Sequence, residues 1–221
     1  MQTILITGGA GFIGSNFVPY FIENNPEVKV VNLDLLTYAG DLSNLSELEG
    51  HERYTFIKGD IRDRSLVEGI FEEHDITGVI HFAAESHVGN SIVDSSAFIN
   101  TNILETKNLL DLIRFKQSNV VDKPVFFHIS TDEVYGDIDN GEHFETDILK
   151  PSNPYSAAKA AADMLILAWS RTYDISYQIL RPTNNYGKGQ YPEKLIPLSV
   201  KNLMRGRKIK LHDQGEPIRN W

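Results

Sequence analysis

The chain has 221 residues, 41% of them hydrophobic and 23% charged, an ordinary globular composition with length enough for one large core, or for a core and part of a second lobe. A formal net charge of −9 argues against a nucleic-acid or anionic-membrane partner, since both demand basic patches, although a local basic site for a phosphate stays open. There is no cysteine, and the seven histidines are scattered without an H-x-x-x-H pair, so disulfides, thiolate catalysis and Cys-ligated zinc are excluded and no metal site is expected.

The N-terminus enters "TILITGG" without a basic n-region, and the longest apolar runs are about six residues, far short of a membrane span. A soluble cytoplasmic protein is the expectation. Short β-branched runs at 3–7, 28–34, 54–60, 78–84, 124–130 and 175–182 alternate with helical periods near 12–24, 64–74, 92–117, 154–172 and 193–205. The runs are apolar on both faces, as parallel strands covered by helices on both sides must be. Alternation of this kind predicts right-handed crossovers and an α/β, doubly wound parallel sheet.

Between the first strand and the first helix, "ITGGAGFIGSNF" places Gly8, Gly9, Gly11 and Gly14. Glycines there permit a tight turn and close approach of backbone to a pyrophosphate, while the helix N-terminus offers free N–H groups and a positive dipole end. Gly8, Gly11, Phe12, Ile13 and Gly14 are therefore the cofactor candidates of this turn. Asp34 follows Gly14 by 20 residues at the end of the second strand, where an acid suits the ribose hydroxyls of NAD and repels a 2′-phosphate. Asp60 with Ile61, closing the third strand, reads as the adenine side, as an N-cap for the helix beyond, or both. In "HFAAES" (81–86), Ala83 and Ala84 suit close passage of a dinucleotide, and His81 reads as a hydrogen-bonded core histidine.

Two features carry chemistry. In "NPYSAAKAAADMLILAW" (153–169), Tyr155 and Lys159 are four residues apart and share a helix face. A tyrosine ordinarily ionises at about 10; a neighbouring ammonium and a positive nicotinamide ring favour the phenolate and make it a usable base. In "STDEVYG" (130–136), Asp132 and Glu133 follow a buried strand, where uncompensated charge is costly. Two neighbouring carboxyls in unlike surroundings can divide acid and base roles.

With these motifs the chain resembles the extended short-chain dehydrogenases/reductases, and more narrowly the dTDP-glucose 4,6-dehydratases. The resemblance runs through "TGGAGFIGS", "LDLLTYAG", "HFAAESHV", "STDEVYG", "NPYSAAKAAAD", "NNYG", "PEKLIP" and "GEPIRNW", and Thr131-Asp132-Glu133 is its most specific part. It implies a tightly held NAD, oxidation at the sugar C4, elimination of water across C5–C6 and hydride return to C6. Glu133 would take the C5 proton and a protonated Asp132 would donate to the leaving hydroxyl. Thr131 would bind the C4 oxygen, Tyr155 would be the C4 base, and Lys159 would tune it and hold cofactor. The resemblance further implies sugar-nucleotide contacts from Glu85, Asn185, Glu193 and Lys194, a diphosphate contact from Arg219, and a homodimer through the helices near 92–117 and 154–172. It divides the chain into an NAD-binding Rossmann domain (1–182) carrying the catalytic residues and the start of a smaller substrate lobe (183–221).

Three departures qualify it. Most relatives carry Asp-Arg or Asp-Asn after "SHV" where Gly89–Asn90 stand here, so a helix cap would weaken by roughly 1 kcal/mol, or by less if glycine caps instead. Leu35 replaces a lysine often found after the ribose-binding acid. The chain stops after a probable strand "KIKLH" at "GEPIRNW", where relatives continue, so the substrate lobe is expected to be incomplete. Two other readings stay open: a nucleotide-sugar 4-epimerase or decarboxylase of the same fold, or a non-catalytic NAD-binding fragment.

Overall fold

The computed structural model describes residues 1–117, 124–138 and 140–209. Six strands, β1 (Gln2–Thr7), β2 (Val28–Asp34), β3 (Tyr54–Lys58), β4 (Ile76–His81), β5 (Val125–Ile129) and β6 (Ser176–Leu180), form one sheet in the order β3-β2-β1-β4-β5-β6. Every neighbouring pair is parallel. The chain builds outward from β1 to β3 and then crosses back to β4. The strand order therefore reverses between β1 and β4, and a crevice opens at their carboxyl ends.

All six predicted strands are present, with ends shifted by a few residues. Gly59–Asp60 and residues 82–84, expected within strands, leave the sheet as loops at its carboxyl edge. The two-faced apolarity of the strands is used as anticipated. Leu5, Val31, Leu33 and Phe126 pack with residues of α2 (Arg64–Glu73), α5 (Thr106–Gln117) and α6 (Pro154–Tyr173). On the other face Ile6 and Val30 meet Val18 and Ile22 of α1 (Phe12–Asn24), with Leu45 and Leu48 of a 3₁₀ turn. Alternate residues of one strand thus feed two cores.

The helix expected over 92–117 is different. It begins earlier, as α3 (Val88–Val93), capped by the His87 side chain, which accepts from the Asn90 N–H at 3.1 Å. The missing acid at Gly89–Asn90 is thus replaced by the imidazole one residue before the helix. The helix breaks where the Asp94 carboxylate accepts the Ser96 N–H at 2.8 Å, then resumes as α4 (Ser96–Phe98), a π-helical segment (Ile99–Glu105) and α5. The N-cap reading of Asp60 is also corrected. Asp63 caps α2, accepting from Leu66 N, while Asp60 is drawn to Arg62 two residues on. At the start of α6, Asn153 and Ser156 form a reciprocal capping box with Pro154 at the first helical position; this fixes the helix start and so the phase of Tyr155 and Lys159. The helix expected near 193–205 is α7 (Leu195–Met204), none of whose residues is buried. The probable strand "KIKLH" runs past the described residues. Among the described residues no helix is long and apolar enough to cross a membrane.

The π segment serves the crevice. Its Asn102, 1% exposed, accepts the Glu85 N–H at 2.9 Å and donates to the Glu85 carbonyl at 3.0 Å. The loop after β4 is pinned there by one side chain. Asn102→Ala should leave both backbone groups unpaired and lower stability by about 2 kcal/mol, read as a lower denaturant midpoint with an unchanged slope.

Candidate active site

The glycine turn is held by three close contacts and one opening. Gly8 has φ +74°, and a Cβ there would lie 2.5 Å from the Ala83 nitrogen. One at Gly14 would lie 2.5 Å from the Gly8 carbonyl oxygen, and one at Gly9 would strike the Asn32 amide. Gly11 is unlike these: its backbone (φ −74°, ψ 174°) suits any residue, and a Cβ would approach only the Gly8 carbonyl, at 3.3 Å. Gly11 lines the cavity at the crevice, so a side chain there would fill ligand space. No side chain caps α1, so its first-turn N–H groups and positive dipole end are left for an anion. Asp34 borders the same space. One oxygen accepts Ala10 N–H at 2.9 Å and the other Leu36 N–H at 2.8 Å, fixing the turn to the end of β2.

One cavity of about 360 Å³ runs from this turn to the end of β5 and the first turns of α6. It is bordered by Gly8, Gly11, Phe12, Ile13, Gly14 and Asp34, by Asp60 and Ile61, by Ala83, Ala84 and Glu85, and by Tyr155, Lys159, Glu193 and Lys194. Every cofactor candidate from the sequence therefore faces one space. His81 does not: it is 1% exposed, hydrogen-bonded at Nδ1 to Thr7 Oγ1 (2.7 Å) and at Nε2 to Thr106 Oγ1 (3.2 Å), and burial holds its pKa down to about 3. It is the hydrogen-bonded core histidine anticipated above.

Lys159 is 2% exposed. Its ammonium donates to the Ile129 carbonyl at 2.6 Å and to His128 Nε2 at 3.2 Å. Burial lowers its pKa to about 8, against the opposing charge of Asp163. At Tyr155, one turn earlier, other groups dominate the surroundings of the phenol. Burial first, and then the charge of Glu133, raise the phenol above its ordinary value, while a hydrogen bond with Thr131 acts the other way. Two of the three ammonium donors are engaged at the end of β5, which leaves one for a further partner.

Thr131 is buried and caps the 3₁₀ turn Asp132–Tyr135, accepting Glu133 N–H at 3.2 Å and donating to Asp132 at 3.3 Å. Glu133 accepts from the Asn153 amide at 3.2 Å, which ties the acid turn to the cap of α6. Asp132 and Glu133 are both partly buried. The turn adjoins the cavity through Ser130 without itself bordering it.

Other candidates are more scattered. Asn185 is exposed, its amide donating to the Thr183 carbonyl, and is not brought to the cavity. Glu193 accepts from the Tyr38 hydroxyl at 3.3 Å and lies 3.8 Å from His87. Arg219 lies outside the described residues. The structure adds residues that sequence reading did not single out: Tyr38, Arg62, Glu105, Gln190 and Tyr191 also border the cavity. Tyr38 and Tyr191 meet edge to face, ring centres 5.2 Å apart, where the loop after β2 touches the loop before α7. The only sequence signal for Tyr38 was its place in "TYAG", directly after the Asp34 strand.

A glycine-turned anion site at a topological switch point, joined through one cavity to a half-buried tyrosine and a buried lysine, defines a Rossmann protein of the short-chain dehydrogenase/reductase type. The family model described as GDP-mannose 4,6 dehydratase matches residues 5–221, and the chain belongs to this family. It is 44% identical over 218 residues to the low-salt glycan biosynthesis protein Agl12 of Haloferax volcanii, covering 99% of this chain and 68% of that protein. To the dTDP-glucose 4,6-dehydratase of Shigella flexneri it is 45% identical over 232 residues, covering 99% of this chain and 64% of that one. The crystal structure of a dTDP-glucose 4,6-dehydratase from Streptomyces venezuelae with NAD bound superposes with a TM-score of 0.92 at 43% identity, covering all of this chain and 67% of that one. The chain thus spans about two thirds of the length of these relatives.

The unlike surroundings of the glycines give a test by thermal or denaturant unfolding. Gly14→Ala should destabilise by about 2 kcal/mol or more, because backbone must move, whereas Gly11→Ala should stay within about 1 kcal/mol of the parent. Equal losses would remove the case that Gly11 is small on a ligand's account.

Proposed function

We propose that this chain carries the NAD-binding and catalytic apparatus of a dTDP-glucose 4,6-dehydratase. The observation that carries the reading is the single cavity joining the glycine turn and Asp34 to Tyr155 and Lys159, with Glu133 close enough for its charge to bear on the phenol. The relatives' identities and the intact Thr-Asp-Glu sequence support dehydration over other nucleotide-sugar chemistry. In this reading residues 1–182 form the cofactor domain, and residues 183–221 begin the sugar-nucleotide lobe.

The residues present fit NAD. The uncapped α1 N-terminus and Gly11 suit the pyrophosphate, Asp34 the adenosine ribose, and the Asp60–Ile61 corner the adenine. Ala83 and Ala84 leave room for the dinucleotide to pass. When bound, NAD supplies a hydride acceptor for C4, a donor for C6, and the positive charge that the phenol lacks. Tyr155 then removes the C4 hydroxyl proton, with Thr131 hydrogen-bonded to the C4 oxygen and Lys159 stabilising the phenolate and holding the cofactor ribose. Once C4 is oxidised the C5 proton is acidic enough for a carboxylate, and Glu133 takes it while Asp132 protonates the departing C6 hydroxyl. Glu85, Glu193 and Lys194 face the hexose from the cavity rim, and Arg219 is assigned to the diphosphate.

The same reading gives a cytoplasmic homodimer through α3, α5 and α6 with the intervening π segment. The exposed apolar side chains Ile92, Val93, Ile99, Leu104, Met164 and Leu167 on these elements support that face, since apolar surface so placed favours a covered interface.

Incubating the chain with dTDP-glucose and NAD should yield a 4-keto-6-deoxy sugar. An inverted C4 or released CO2 would assign it to a sister activity, and no turnover with intact NAD binding would leave a binding module. Glu133→Gln should reduce product at least about 100-fold, as loss of a general base does, while reduced-nicotinamide absorbance accumulates. Product at the parent rate would disprove the role given to Glu133.

A further inference from the structure

At the end of the cavity away from Tyr155, one group has no part in the mechanism above. Glu105, the last residue of the π segment, is 3% exposed yet borders the cavity together with Asp60, Ile61, Arg62 and Thr101. The strand order fixes what this corner would meet. A ligand running from Tyr155 past Gly11 to Asp34 continues toward the β3 edge of the sheet, so its purine ends here.

We propose that the Glu105 carboxyl contacts the adenine of NAD and sets how tightly the adenosine end is held. This rests on the reading of the cleft as an NAD site and adds to it a residue that neither the glycine motif nor the ribose acid predicts.

Asp60, the acid expected at the purine, is already engaged. Arg62 donates to it from its backbone N–H at 2.8 Å and from its guanidinium at 2.6 to 3.0 Å. Glu105 stands 3.6 Å from the Arg62 guanidinium and accepts from Thr101, contacts that do not use up the donor and acceptor capacity of a carboxyl group. Its surroundings decide its form. Burial most of all, with the charges of Asp60 and Glu85, lifts its pKa to about 8, against the opposing effects of Arg62 and Thr101. Near neutrality it is a carboxylic acid, with one O–H to donate and one carbonyl oxygen to accept. That pair matches the purine edge, where a ring nitrogen accepts beside an exocyclic amine that donates. An ionised carboxylate would lose the donor and add a third negative charge beside Asp60 and Glu85, in a cleft that must also admit a pyrophosphate.

The test is equilibrium binding of NAD and of ADP to the parent chain, Glu105→Gln and Glu105→Ala. ADP carries the adenosine end alone, so Lys159, which also titrates near 8, does not affect it. At neutral pH Glu105→Ala should weaken both ligands about tenfold, the effect of one or two lost buried hydrogen bonds, and Glu105→Gln should stay within about threefold of the parent. Between about pH 7.5 and 9.5, where the phosphates stay ionised, the parent should lose ADP affinity as pH rises through the Glu105 pKa, and Glu105→Gln should not. Unchanged binding by Glu105→Ala, or equal pH slopes for parent and Glu105→Gln, would overturn the proposal while leaving the NAD reading in place. A parent chain that binds neither ligand would remove both. If Glu105→Ala fails to fold, the slope comparison with Glu105→Gln decides alone.

Discussion

An ammonium group with 2% exposure cannot be left uncompensated, because an unpaired buried ion costs several kcal/mol. Lys159 meets that requirement at the end of β5, through the Ile129 carbonyl and the His128 ring. The consequence is geometric. Helix α6 is locked to the sheet at one point, and Tyr155, one turn earlier, is held over the cleft. One turn later on the same face Asp163, with no exposure, accepts from Arg181 at 2.9 Å, and Arg181 reaches the Tyr135 hydroxyl at 2.6 Å. Tyr135 closes the turn that carries Asp132 and Glu133. One chain of buried charges therefore positions both the phenol and the paired acids. The depressed pKa of Lys159 shows that holding its charge there costs the fold stability, the kind of cost that marks sites kept for chemistry.

The cleft handles its negative charge in a similar way. Asp34 takes two backbone N–H groups and Asp60 takes Arg62, so both acids are compensated before any ligand arrives. The positive end of α1 is thereby left for phosphate, although the chain as a whole carries a formal charge of −9. Net charge bears on extended polyanionic partners, yet it says nothing about one helix terminus.

What was legible in the sequence was local. The β-branched runs, the glycine turn and the helical period of α6 each specify structure through near neighbours, and each is found close to where it was read. The break at Asp94 and the π segment were hidden because an apolar helical period runs through both. The fate of Asp60 turned on Arg62 two residues away, and the cap passed to Asp63. Partners far apart in the chain were invisible: Tyr38 with Glu193, Asn102 with Glu85, and Lys159 with the Ile129 carbonyl depend on how the sheet brings loops together. Spacing placed lysine and tyrosine on one helix face, but could not show that the ammonium also makes two contacts at the end of β5.

The surroundings of Tyr155 bear on how the proposed chemistry is ordered. Thr131 has one hydroxyl proton and two claimants. It donates to Asp132 at 3.3 Å, and a hydrogen bond from it is also what eases ionisation of Tyr155. Its other face is occupied by the Glu133 N–H. It can therefore stabilise an ionised Asp132 or an ionised Tyr155, but not both. In the proposed assignment the substrate C4 oxygen is a further claimant on the same proton, so the hydroxyl that caps the acid turn must leave Asp132 when it serves the C4 end of the reaction. One threonine therefore couples the turn that carries the paired acids to the Tyr155 side of the cleft.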